Sequence, residues 1–153
     1  MKKVLLLTIT VISVLLIAAC STTGSTGSTG PAPQNPTEEA LQDVYNRYRN
    51  ALILTGATNY TVKSGDTLSA VAREQYNNGF LYPVIMLASK DVVLDADKIE
   101  PGMKLVVPDL QRNLNDARAK ANIKNYLLEI ADVEEKRNRR DTADGIRRQA
   151  NSL

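Results

Sequence analysis

Residues 4–17 are almost continuously apolar, and residues 21–30 contain only Ser, Thr and Gly. Apolar positions return beyond Pro36 with two different periods. Leu41, Val44, Tyr45, Tyr48, Leu52 and Thr55 recur at helical spacing, which predicts a helix over 37–56 that Gly56 stops. Asn35 as N-cap, Pro36 in the first turn and Glu38 three residues on mark its start. From Tyr60 the period falls to two: Tyr60 and Val62 alternate with Thr61 and Lys63, a short half-buried strand. Ser64-Gly65-Asp66 then turns the chain. Asp66 or Thr67 caps the next helix, whose face carries Leu68, Val71, Ala72 and Tyr76. Asn77-Asn78-Gly79 ends it, and Pro83 opens a second short helix through Ala88. A polar, acidic loop leads to Pro101-Gly102, a central pair for a type II turn, and 104–108 is a closing strand. The order is strand, helix, helix, strand.

After Pro108, Asn115 or Asp116 caps a helix carrying Ile123, Tyr126, Leu127, Ile130 and Val133. Residues 134–140 are wholly polar and predict a turn; Asp141 or Thr142 then starts a last helix with Ala143, Ile146, Ala150 and Leu153 on one face. Residues 109–153 thus form a helical hairpin, similar to a single tetratricopeptide-like unit. The expected class is α+β: a β-α-α-β unit at 60–108 flanked by an N-terminal helix and the C-terminal helical hairpin. A unit of that size without disulfides has a marginal core, so both flanking stripes are expected to pack on it or on each other. Unpacked, they would be surfaces for a partner protein.

Composition narrows the chemistry. The chain has no histidine, and its one cysteine is Cys20. Histidine bases, Ser-His-Asp and Cys-His pairs, His/Cys zinc sites and internal disulfides are therefore excluded. Lys2 and Lys3 account for two of the 19 basic residues, which leaves 17 against 17 acids and gives no global charge for nucleic acid. Glu134 and Glu135 point about 100° apart on a helix and cannot flank one bond as acid and base. No phosphate-binding loop or Ser-x-x-Lys motif is present, so a muramidase or amidase reading is disfavoured and no cofactor is expected.

Met1-Lys2-Lys3, the apolar run and Leu16-Ile17-Ala18-Ala19-Cys20 resemble the signal peptide and lipobox of bacterial lipoproteins. The resemblance implies a signal peptide at 1–19, cleavage before Cys20, and lipidation and acylation (palmitate included) of that residue. Ser21 after the cysteine implies the outer membrane, with the protein in the cell envelope facing the periplasm. Residues 20–36 read as the lipidated flexible tether, Ser-Thr-Gly repeats followed by Pro31-Ala32-Pro33.

Tyr60-Thr61-Val62-Lys63-Ser64-Gly65-Asp66-Thr67-Leu68, then Val71-Ala72, Ile85 and Ile99-Glu100-Pro101-Gly102-Met103-Lys104-Leu105-Val106-Val107-Pro108 resemble the LysM domain over 60–108. That implies binding of N-acetylglucosamine-containing glycans, in bacteria chiefly peptidoglycan. The family's shallow groove maps onto Ser64, Gly65, Asp66, Thr67 and Leu68 in one loop and onto Ile99, Pro101, Gly102 and Lys104 in the other, flanked by Met86 and Ser89. Gly65 and Gly102 let the backbone approach a sugar, and Leu68, Met86 and Leu105 are candidates for an apolar floor. Ser89 stands where the family commonly has asparagine, and the loop 90–98 is longer than in compact members. Gly65-Asp66 and Pro101-Gly102 are equally good turn chemistry, and Leu68 and Leu105 equally good core.

Two charged clusters complete the picture. Asp91, Asp95, Asp97 and Glu100 lack the glycine and ligand order of an EF-hand and read as a solvated loop. Lys136, Arg137, Arg139, Arg140, Arg147 and Arg148 read as a solvated helix end. The expected function is a lipoprotein, anchored in the membrane through Cys20, that holds peptidoglycan non-covalently. The alternative is an envelope scaffold whose helices bind another protein, with weak or lost glycan binding.

Overall fold

The computed structural model describes residues 33–153. The expected leader, the Cys20 lipidation site and nearly all of the tether lie outside the described residues.

The fold is α+β. Strand β1 (Thr58–Thr61) pairs antiparallel with β2 (Lys104–Val107), Thr58 opposite Val107 and Thr61 opposite Lys104. The ladder runs on past β1, because the Val62 N–H donates to the Met103 carbonyl (2.9 Å) and the Gly102 N–H to that of Val62 (2.8 Å). The strand therefore begins two residues earlier than the alternation predicts. Thr58 and Asn59 are polar and exposed, so pairing with β2, rather than burial, extends it. Helix α2 (Leu68–Tyr76) starts from Thr67, whose Oγ1 accepts from the Ala70 N–H (3.1 Å), and ends at Asn77 in the left-handed region, φ +55°. A 3-10 turn leads into α3 (Tyr82–Ala88), with Val84, Ile85, Met86 and Leu87 fully buried.

Helix α1 spans Pro36–Tyr48, with Asn35 capping it through Oδ1 and the Glu38 N–H (3.0 Å). It stops well short of the expected Gly56, leaving Leu52 and Thr55 outside. A tight turn, the Ala51 N–H donating to the Tyr48 carbonyl (2.8 Å), closes its end, and a side chain distant in sequence holds the segment that follows. Asn113, fully buried on α4 (Leu110–Asn115), accepts from the Ile53 N–H (2.8 Å) and donates to the Ile53 carbonyl (2.9 Å). Both polar groups of Ile53 are thus taken and cannot join a helical ladder. Helix α4 itself is not foreshadowed by the apolar period. Asp116 then caps α5 (Ala117–Lys136), its carboxylate accepting from the Ala119 N–H (2.8 Å).

Helix α5 continues three residues into the polar stretch expected to be a turn, and the reversal falls instead around Asn138, at φ +61°. Helix α6 (Arg140–Ser152) packs back on α5 as an antiparallel hairpin. The flanking helices and the β-α-α-β unit share one core, with Leu41, Tyr45, Ile85, Leu105, Tyr126, Ile130 and Ile146 all at 0% exposure. Two phenols fasten them: Tyr45 of α1 donates to the Leu94 carbonyl (2.8 Å) and Tyr126 of α5 to the Pro83 carbonyl (2.9 Å). Among the described residues no helix is long and apolar enough to cross a membrane.

Candidate functional site

The two loops expected to bind ligand are both closed by a glycine that needs its left-handed backbone. Gly65 has φ +87° and Gly102 φ +93°, and a Cβ at either would meet nothing within 4 Å. Conformation, not crowding, therefore demands glycine there, and the space before both residues is open. Around Gly102, the Met103 N–H donates to the Glu100 carbonyl (3.1 Å), closing the expected turn. Asp66 anchors the other loop. Its Oδ2 accepts from the Lys63 N–H and from the Tyr60 hydroxyl, each at 2.8 Å. The first of these bonds, then the second, holds the Asp66 carboxyl below its ordinary value, while the same contact with Asp66 pushes the Tyr60 phenol up to about 12.

Four of the expected contact or floor residues are buried in the core, Met86, Ser89 and Leu105 presenting nothing to a ligand from their side chains. Met86 is fully buried between α3 and the rest of the core. Ser89 is buried because its Oγ accepts from the Val106 N–H (2.9 Å) and sits 3.4 Å from the Val106 carbonyl, pinning the end of α3 to β2. Leu68 is 2% exposed and belongs to the core, although its edge reaches the cavity described next. Ser64, Gly65, Pro101, Gly102 and Lys104 are exposed on the loops, with Ile99 half-buried beside them.

A cavity of about 340 Å³ opens beside these loops. Asp66, Thr67, Leu68 and Ile99 are brought together in its lining, joined by Ser69, Tyr82, Ala96, Asp97, Arg139 and Thr142. Ser64, Gly65, Pro101, Gly102 and Lys104 lie outside that lining. The floor is apolar at Leu68 and Ile99, while Thr67, Ser69 and Thr142 offer hydroxyls around it. This mixture suits a small ligand carrying both methyl and hydroxyl groups. Its far wall, Arg139 and Thr142, comes from the hairpin and was not anticipated from the sequence.

The wall is held by ions drawn from the two clusters expected to be solvated. Arg137 binds Asp95 through both nitrogens, Nη1 to Oδ1 and Nη2 to Oδ2 at 3.1 Å each, and reaches Asp97 (2.8 Å) and Glu134 (3.2 Å). Arg139 also bonds Asp97 and lies 3.5 Å from Oε2 of Glu134, whose other carboxylate oxygen meets the Tyr82 hydroxyl at 3.3 Å. Glu134 is fully buried and the Asp95 side chain is 7% exposed. The hydrogen bond from Arg139 holds the Asp97 carboxyl below its usual value. Burial first, then Glu134, pushes the Tyr82 phenol far up. Asp95 and Asp97 of the acidic loop and Arg137 and Arg139 of the basic turn are not merely solvated but paired with each other, while Asp91, Glu100, Lys136 and Arg140 remain exposed. Among the described residues no group of three or more His, Cys, Asp or Glu converges as a metal site.

Comparison with known proteins agrees with the geometry of the central unit. Residues 60–108 match the family model for the LysM domain, and the chain carries a LysM domain there. Potassium binding protein Kbp of Escherichia coli O6:H1 is 41% identical over 69 residues, which is 45% of this chain and 46% of that protein. Esterase Rv1288 of Mycobacterium tuberculosis is 41% identical over 61 residues, 40% of this chain and 13% of the esterase. The chain thus spans less than half the length of these curated relatives. No solved structure matches it.

Proposed function

We propose that this protein is a lipid-anchored component of the bacterial cell envelope that binds N-acetylglucosamine-containing glycan, peptidoglycan above all, non-covalently through its LysM domain. One observation carries the reading: within a LysM domain, the two loops of the expected groove bring Asp66, Thr67 and Ile99 to the edge of a single cavity. An apolar floor under hydroxyls matches an N-acetylated sugar, whose methyl and polar groups lie side by side. The binding role needs no catalytic group. The 13% of the esterase that is matched is too little to bring an esterase activity to this chain. The scaffold alternative is weakened because the stripes of α1, α5 and α6 are consumed by the protein's own core.

Anchoring follows from Cys20 and the residues before it, with acyl chains supplying the outer-membrane attachment and the tether supplying reach. Replacing Cys20 by serine should abolish incorporation of labelled palmitate and move the protein out of the membrane fraction. Glycan binding is tested by co-sedimentation of the full chain, in mild detergent, with purified insoluble peptidoglycan. The wild type should pellet, and Ser69→Trp, which fills the cavity from the α2 side, should not. A wild-type protein that stays in the supernatant refutes the reading. Exchanging NaCl for KCl at equal ionic strength tests whether the potassium binding named for the Escherichia coli relative extends to this chain.

A further inference from the structure

We propose that the C-terminal hairpin is part of the glycan site, with Thr142 and Arg139 forming the far wall of a pocket that takes an uncharged N-acetylated sugar. The inference rests on the proposed glycan binding and adds where the ligand sits and what selects it. Here the α5–α6 turn and the start of α6 add Arg139 and Thr142 to the same lining as Thr67, Ser69 and Ile99.

The position of this wall is fixed. Arg137 and Arg139 tie the α5–α6 turn to Asp95 and Asp97, both in the loop that is longer than in compact LysM domains. A Cβ at Gly145 would overlap the Phe80 ring, so α6 lies directly against the connection between α2 and α3. The loop and the helix are therefore locked to each other where both line the cavity, and ligand meets a preformed wall.

Charge defines the ligand class. The charged lining consists of Asp66, Asp97 and Arg139, two carboxylates to one guanidinium. That guanidinium is already bonded to Asp97 and close to buried Glu134. An added anion would face two acids with no free positive partner, so acidic sugars are disfavoured. Hydroxyl and amide groups suit the lining, and the carboxylates of the peptide stems of a murein strand would remain outside the pocket.

The test titrates the full chain with tetra-N-acetylchitotetraose, read by calorimetry, beside variants of Thr142. Thr142→Trp fills the cavity from the hairpin side and should weaken binding at least tenfold. Thr142→Val keeps the volume, drops the hydroxyl and should weaken it about fivefold, as for one neutral hydrogen bond. Thr142→Ser should bind like the wild type. Thermal melts establish that each variant folds. Binding should change little between low and moderate salt, because the ligand is uncharged. Wild-type binding that a folded Thr142→Trp variant retains would overturn the hairpin wall while leaving glycan binding through the LysM loops intact. Strengthened binding for the same oligosaccharide carrying carboxylates would overturn the charge selection. A wild type that binds no glycan would remove both this inference and the function on which it rests.

Discussion

Gly145 lies inside α6, where replacing glycine with alanine ordinarily stabilises a helix by about 1 kcal/mol. The opposite result is expected here, because the new Cβ would overlap Cε1, Cδ1 and Cζ of Phe80. Phe80 is 38% exposed, so its ring can be displaced into solvent, but only by giving up its contact with α6. An aromatic side chain buries roughly 150–250 Å² when fully enclosed, which leaves about 90–155 Å² for this one. At about 25 cal/mol per Å², complete loss costs roughly 2–4 kcal/mol, and loss of half costs about 1–2. Set against the helical gain, complete loss leaves a destabilisation of about 1–3 kcal/mol and loss of half about 0–1 kcal/mol. Urea denaturation followed by circular dichroism gives the value, and a double-mutant cycle isolates the cause. With Phe80→Ala already present the clash is gone, so Gly145→Ala should then stabilise by about 0.5–1 kcal/mol. Stabilisation by Gly145→Ala in the wild-type background would refute the reasoning, as would an equal effect in both backgrounds.

Asn113→Ala leaves both polar groups of Ile53 without their partner, and should cost about 2–3 kcal/mol in urea denaturation. Arg137→Ala strands Asp95 and Glu134 in a buried site, and should cost about 3–5 kcal/mol by the same assay. The Asp97 carboxyl is held low by Arg139, so the folded state binds fewer protons than the unfolded one; this stability is complete above the ordinary carboxylate value near 4 and is lost as pH falls below it. Arg139→Ala should accordingly move the acid-unfolding midpoint upward, read by circular dichroism. All six tyrosines are shifted up, Tyr48 and Tyr60 to about 12, chiefly by burial for Tyr48 and by Asp66 for Tyr60. Absorbance at 295 nm should show no step near pH 10, and stability should fall as pH rises above 10 toward those higher values.

The parts of this fold legible in the sequence are those written in local residues. Asn35 and Thr67 cap helices through bonds three residues away, and Gly102 takes the positive φ that its turn requires. The apolar spacing of α5 and α6 marks the faces that become buried. The mistaken bounds arise where a distant group decides. Asn113 holds Ile53, in the segment after α1, from 60 residues away, and no pattern in residues 37–56 registers it. Thr58 and Asn59 join β1 only because β2 lies opposite them. The same limit governs the site. Glycine and turn chemistry mark the two loops as turns, but Met86 and Ser89 face inward because β2 covers the end of α3.

The two charged clusters show why the far wall of the cavity was invisible. Taken separately, a polar acidic loop and a basic helix end each have water as their cheapest partner. Once Tyr126 and the Gly145–Phe80 contact dock the hairpin, those clusters face each other and water is expelled from Glu134 and Asp95. Desolvation penalises each isolated charge, so the guanidiniums of Arg137 and Arg139 must match those carboxylates closely. Apolar packing therefore brings the hairpin in, while the ion network fixes its registry against the loop. That registry puts Thr142 and Ser69 in the lining of one cavity, making its shape a property of the LysM unit together with the hairpin rather than of residues 60–108 alone.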